Sequence, residues 1–327
     1  MAEKRNSLSV VRSGTARRIM RWTWRALLWL MVALLVLAVV GAIYQAIATE
    51  RAERAYPPPG EMVDVGGYRL HINCVGQGSP TVVLDGGSGE MSAQWVRVQQ
   101  EVSGTTRVCA YDRAGMGWSE MGPDPRDAKQ ITSELHTLLK GAGIKGPYVL
   151  VGHSLGGLSM QTYAHRYPDE VAGVALVDSS IDTYQFSQRP EAQDSSEPQK
   201  QTFAVVPKLE RFGVSLPARL GIVRLLSKLS PASPELPPQQ RAQIDALTPS
   251  TRQVSTSALE FLAPKQAEPG WLKLQDDLAT LSSNSMHRVV KGATHTSLVY
   301  DRSDSQATSA AIVEVVQAVR NDQSLTR

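Results

Sequence analysis
The sequence offers nothing with which to hold a metal ion or a nucleotide. It contains no cluster of metal ligands and no phosphate-binding loop, and its early glycine runs lack the G-x-G-x-x-G spacing of dinucleotide sites. No cofactor is therefore expected. No internal repeat appears, and 327 residues suffice for one large domain with an inserted subdomain. Excess positive charge is also missing from most of the chain. Through Arg25, seven basic residues (Lys4, Arg5, Arg12, Arg17, Arg18, Arg21, Arg25) face one acid, Glu3, so this segment carries +6 of a net charge of +3. The remainder is mildly acidic, which gives a nucleic-acid partner no basic face.

Charge of either sign is absent from Ala26 to Thr49, and Leu27 to Val40 is almost wholly aliphatic. At the helical rise these residues span about 36 Å, enough to cross a hydrocarbon core of about 30 Å. Trp22, Trp24 and Trp29 stand at one end and Tyr44 near the other, as interfacial anchors do. The reading is a basic, irregular cytoplasmic tail (1–25), a transmembrane helix (26–49) and a stiff tether (50–60) containing Pro57-Pro58-Pro59. The positive flank keeps the N-terminus in the cytoplasm, which puts the rest of the chain on the non-cytoplasmic side as a single-pass protein. A cleaved signal peptide is the rival, because Ala46-Ile47-Ala48 is an A-x-A site.

What is present is organised around Tyr148-Val-Leu-Val-Gly-His-Ser-Leu-Gly-Gly157. An apolar run of β-formers, Tyr148–Val151, leads into Gly152-His153-Ser154-Leu155-Gly156, a G-x-S-x-G sequence. A helical segment, Leu158 to Tyr167, follows and is stopped by Pro168. Strand, glycine-flanked serine and helix together make Ser154 a candidate nucleophile, with Gly152 and Gly156 letting neighbouring backbone approach. Further strands are expected at Met62–Val65 and Tyr68–Val75 (a hairpin through Gly66-Gly67), Thr81–Leu84, Arg107–Tyr111, Val171–Val177 and, briefly, Arg288–Val290. Helices are expected at Asp127–Leu139, Leu216–Leu229, Pro238–Leu247 and Trp271–Leu281, and on the stripe Ile312, Val315, Val316, Val319.

From about Val63 to Arg320 this pattern resembles the α/β-hydrolase superfamily, with Gly152–Gly156 as its nucleophile elbow and Asp112-Arg113-Ala114-Gly115-Met116-Gly117-Trp118-Ser119 as its D-R-x-G-x-G-x-S turn. The resemblance implies an α/β fold: a mostly parallel sheet flanked by helices, here preceded by one transmembrane helix. The core would comprise 61–181 and 265–327, with a helical cap inserted at 182–264, where all four phenylalanines lie (Phe186, Phe203, Phe212, Phe261). It also implies a Ser–His–acid triad. His295, in Gly292-Ala293-Thr294-His295, stands where the family carries its histidine. Asp85-Gly86-Gly87-Ser88-Gly89 matches the oxyanion loop, which makes Gly87 and Leu155 the backbone donors; Asp85 replaces the family's histidine there. Asp112 and Arg113 are read as fixing their loop. The family's strand order would set Cys74 beside Cys109, close enough for a disulfide.

The acid departs from the common pattern. Phe261–Trp271 (Phe-Leu-Ala-Pro-Lys-Gln-Ala-Glu-Pro-Gly-Trp) cannot be the core strand that usually precedes the acid. Asp276 and Asp277 fall within a helix. Some superfamily members, haloalkane dehalogenases among them, carry the acid one strand earlier, and that position is Asp178; the plain alternative is that Asp178 only ends its strand. The expected function is cofactor-free hydrolysis of a small-molecule ester or lipid-like substrate by a membrane-anchored serine hydrolase. A catalytically inactive, membrane-tethered binding module of the same fold is the alternative, as is another acyl bond (peptide, lactone, thioester).

Overall fold
The computed structural model describes residues 3–179, 208–262, 282 and 284–325. The basic segment and the apolar run form one helix, α1 (Glu3–Ala55). The tail is therefore helical from Glu3 rather than irregular, and the helix passes Thr49 into the expected tether. Glu50-Arg-Ala-Glu-Arg-Ala55 consists of strong helix formers, Glu50 pairs with Arg54 one turn on, and only the prolines from Pro57 stop it. Among the described residues α1 is the one helix long and apolar enough to cross a membrane.

Strands β1 (Glu61–Asp64), β2 (Arg69–Val75), β3 (Thr81–Asp85), β4 (Val108–Tyr111), β5 (Tyr148–His153) and β6 (Val171–Val177) form one sheet in the order β1-β2-β4-β3-β5-β6. The β1–β2 and β2–β4 pairs are antiparallel and the others parallel. Cys74 stands directly opposite Cys109 in the β2–β4 register, with Cα atoms 4.0 Å apart, and the two are joined as a disulfide.

Helices α2 (Val96–Val102), α3 (Ala128–Gly141) and α4 (Leu155–Arg166) follow β3, β4 and β5. Past β6 come α5 (Lys208–Arg219), α6 (Ile222–Ser227), α7 (Pro238–Leu247), α8 (Thr251–Leu262), the short α9 (Ser297–Tyr300) and α10 (Asp304–Asn321). Successive strand residues point to opposite faces. Val83 and Leu150 therefore join Leu135, Leu138, Met160 and Tyr163 under α3 and α4. Val82, Leu84, Val149 and Val151 join Trp95, Val98, Ile312 and Val316 on the side of α2 and α10.

Three differences from the sequence reading concern the part after β6. The expected helix Leu216–Leu229 is two helices, because Gly221 takes a left-handed φ of +72° between them. α8 was not anticipated. Arg288–Val290 is not a strand: Val289 is exposed, the Arg288 side chain pairs with Glu314 at 2.9 Å, and no described strand lies beyond β6 to receive it. Phe186, Phe203, Asp276, Asp277 and the expected helix Trp271–Leu281 lie outside the described residues.

Candidate active site
Ser154 sits between β5 and α4 at φ +49°, ψ −119°, a region closed to most L-residues and held only where surrounding structure enforces it. Two glycines make that turn possible. A Cβ on Gly152 would lie 2.4 Å from Gly157 Cα, and one on Gly156 would lie 2.4 Å from the Asp85 carbonyl oxygen. The Ser154 N–H donates to the Val177 carbonyl at 3.2 Å, which ties the elbow to the end of β6. One residue further, Asp178 also has a positive φ, +43°. Its Oδ2 meets His295 Nδ1 directly. Ser154, Asp178 and the Gly87 loop thus emerge at the C-terminal ends of β5, β6 and β3, the edge where open parallel sheets build their sites.

The structure joins His295 to Asp178 and sets Gly87 against Ser154, since a Cβ on Gly87 would be 3.1 Å from Ser154 Cβ. Ser154 Oγ is not hydrogen-bonded to the His295 ring in this conformation; such contacts commonly tighten only around substrate. The Leu155 N–H opens α4, so no carbonyl inside the helix lies upstream to accept it. The Gly87 N–H donates to Glu90 Oε2 at 2.5 Å, so in this conformation a carboxylate occupies the direction in which a substrate oxyanion was expected.

Glu90 is the functional candidate that sequence reasoning missed. It is buried, and besides Gly87 it accepts from His153 Nδ1 at 3.0 Å and from the Tyr300 hydroxyl. His153 Nε2 meets the backbone oxygen of His295 at 2.8 Å. With Glu90 ionised both partners of His153 are acceptors, an arrangement that a His153 imidazolium satisfies with both ring N–H groups. Burial alone would push its pKa down, but the Glu90 carboxylate outweighs burial and holds it above the ordinary value. Burial likewise opposes ionised Glu90, and His153 and the donors around it keep its pKa below the usual carboxylate value. A buried ion pair therefore sits beside Ser154 and grips the Gly87 loop, the turn at Ser154 and the loop carrying His295. An acid in the small-residue run Gly86-Gly87-Ser88-Gly89-Glu90 was the available signal.

Arg113 holds the same loop from the other side. Its Nη1 donates to Asp85 Oδ1 at 2.6 Å and to Gly86 O at 2.5 Å, its Nη2 to Gly87 O at 2.6 Å, and its Nε to Glu260 Oε1 of α8 at 2.9 Å. All three charged side chains are buried. Asp85 thus points inward as a structural partner rather than into the site. Asp112 accepts from Ser92 N at 2.6 Å, His71 Nδ1 at 2.9 Å and Trp118 N at 3.1 Å, and so fixes its turn as expected. Among the described residues no group of three or more His, Cys, Asp or Glu is placed to hold a metal ion.

The family profile of the alpha/beta hydrolase fold matches residues 80–255. Among solved structures, an enol-lactonase from Burkholderia xenovorans LB400 superposes with a TM-score of 0.56 at 18% identity, over 79% of this chain and all of that one. A membrane phospholipase A superposes with a TM-score of 0.54 at 19% identity, over 92% of this chain and 99% of that one. The protein YbdG of Bacillus subtilis, whose function is uncharacterised, is 28% identical over 172 residues, covering 50% of this chain and 52% of the relative. The chain spans between a fifth and about half of the length of the curated relatives it matches.

Proposed function
The chain belongs to the α/β-hydrolase family, and on that premise we propose that it is a membrane-anchored serine hydrolase of carboxylic esters with apolar, lipid-like acyl groups. The observation that carries the reading is the Asp178–His295 contact at the sheet edge where Ser154 emerges. In this scheme the His295 Nδ1–H donates to Asp178, which leaves Nε2 to take the Ser154 proton as Oγ attacks the ester carbonyl. The tetrahedral oxyanion is met by the Leu155 N–H, and by the Gly87 N–H once the Glu90 carboxylate yields it. His295 then returns the proton to the leaving alcohol, and water releases the acyl group by the reverse sequence.

Residues 26–49 anchor the protein, with the basic flank in the cytoplasm and the site on the other side of a single-pass span. The likeness to a membrane phospholipase A is in keeping with a lipid-like ester. One observation favours a second reading, an inactive tethered binding module: Glu90 occupies the Gly87 amide. A fluorophosphonate probe separates the two. Covalent labelling of the wild type, lost in Ser154→Ala with the fold intact, supports the hydrolase; an unlabelled wild type, or labelling that survives the substitution, refutes it. A panel of p-nitrophenyl esters of increasing chain length then tests the acyl preference.

A further inference from the structure
α6 exposes its large aliphatic residues. Ile222, Leu225, Leu226 and the following Leu229 are 44, 54, 58 and 83% exposed, at the i, i+3, i+4, i+7 spacing of one helix face. Arg224, on the opposite face, is buried against α1 and α7. Its Nε donates to Gln45 Oε1 at 2.9 Å, its Nη2 to Thr49 Oγ1 at 3.1 Å and its Nη1 to Ala246 O at 3.0 Å. The turn before α6 also lies against α1. A Cβ on Gly41 would be 2.4 Å from the Leu220 carbonyl oxygen, and one on Gly221 would be 2.9 Å from the Tyr44 ring.

These contacts fix the level of α6 along α1. Gly41 and Tyr44 precede Glu50, the first charge after the apolar run, by about 13 and 9 Å of helix. With a core of about 30 Å centred on the stretch Ala26–Thr49, the Gly41–Tyr44 level lies about 5–10 Å inside the boundary between acyl chains and headgroups, the depth to which interfacial helices sink their apolar face. A helix pinned there by Arg224, with four large aliphatic side chains facing outward, is beside lipid rather than in water. Exposed Lys228, next to that face, is placed to reach the headgroups.

We propose that the Ile222–Leu225–Leu226–Leu229 face is a second membrane contact, seated in the interfacial layer of the bilayer that α1 crosses. It rests on the reading of α1 as a transmembrane anchor. α5 and α8 pack together, and α8 reaches the oxyanion loop through Glu260 and Arg113. α5 packs in turn on α6, so the α5–α8 helices link the lipid-facing side to the Gly87 loop, which suits a substrate drawn from lipid.

The test uses the full chain, one copy per phosphatidylcholine nanodisc so that a second copy cannot cover the face. A fluorophore is placed through single exposed cysteines at Leu225→Cys, Leu37→Cys and Val289→Cys. Nitroxide-labelled phosphatidylcholine then serves as quencher, with the spin label either near the headgroup or near the acyl end. The expected result is severalfold stronger quenching at position 225 than at 289, greater with the shallow label, while 37 responds most to the deep one. Quenching at 37 with none at 225 above the level of 289 would overturn the proposal and leave the anchor standing. No quenching at 37 would overturn the anchor, and the proposal with it.

Discussion

Replacing Glu90 by glutamine tests whether a charged pair, and not shape alone, holds the site together. Glu90 accepts from the Gly87 N–H, His153 Nδ1 and the Tyr300 hydroxyl. Glutamine keeps the shape but offers one acceptor oxygen in place of two and no charge. Hydrogen bonds to ionised groups contribute about 1.5–3 kcal/mol each against about 1 kcal/mol for neutral ones, so weakening three should cost about 2–4 kcal/mol. The cost depends on pH, with a sign set by the shifts. His153 has a folded pKa above 6.5, so its contribution is full below 6.5 and fades as pH rises through the raised value. Glu90 has a folded pKa below 4.5, so its contribution is full above 4.5 and is lost as pH falls through the lowered value.

The pair therefore stabilises most between those two reference values. Without the Glu90 carboxylate, burial opposes the His153 charge with only the His295 carbonyl and the Asp178 charge left to favour it, so the variant loses further stability as pH falls. At about 2 °C per kcal/mol for a chain of this size, Glu90→Gln should lower the melting temperature by about 4–8 °C near pH 5.5. The loss should shrink markedly near pH 8.5. Thermal unfolding of the full-length protein in detergent, followed by tryptophan fluorescence at both pH values, reads this directly. Equal losses at the two pH values, or none, would show that Glu90 and His153 are not an ion pair.

Three further substitutions probe neighbouring parts of the site. Asp178→Asn should keep the fold but cut ester turnover by on the order of a thousandfold, because an amide cannot stabilise the His295 imidazolium; a change of only a few-fold would place the acid elsewhere. Arg113→Met should destabilise by about 3–5 kcal/mol, since it strands the buried Asp85 and Glu260 carboxylates. Asp85→Asn should cost less than about 1 kcal/mol, because the amide oxygen still accepts from Arg113. Burial already pushes the Asp85 pKa up against the pull of Arg113. Chemical denaturation of the two variants, with the reverse order of stability, would refute that account of the cluster.

The features legible in the sequence are those whose cause is local. Gly152-His153-Ser154-Leu155-Gly156 reads as an elbow because the sharp turn needs its glycines on either side of the serine, and the structure shows backbone where their side chains would be. Asp178 became the candidate acid through the family resemblance, which allows the acid one strand earlier, and it meets His295 across 117 positions of chain. The Glu90–His153 pair was not found, because its partners are 63 residues apart and neither belongs to a periodic pattern. Arg288–Val290 has strand-like composition, but a strand is defined by its neighbour, and none is described beside it. The expected span ended at Thr49 because Glu50 is the first charge after the apolar run, but a charge does not stop a helix, and the formers in Glu50–Ala55 carry it on towards the prolines.

How the His295 loop keeps its position, with no strand beside it among the described residues, follows from its polar ties. Thr294 N donates to Ser297 Oγ at 2.7 Å, and Ser297 Oγ to Asp304 Oδ2 at 2.5 Å, which closes the loop onto α10. Gln94 Nε2 donates to the Tyr300 hydroxyl at 2.9 Å and Arg97 Nε to the Tyr300 carbonyl at 3.1 Å, which fastens α9 to the region following β3. His153 reaches the backbone of His295 itself, and it does so from the residue preceding Ser154. In a sheet with a strand beyond β6, the ladder would set the distance between histidine and serine. Here an imidazolium joins the elbow to the histidine loop, and the Glu90 carboxylate keeps that imidazolium charged. The group that occupies the Gly87 amide is therefore also the group that holds His153 against the His295 loop, so on the proposed mechanism a substrate that displaces Glu90 from Gly87 must leave its contact with His153 in place.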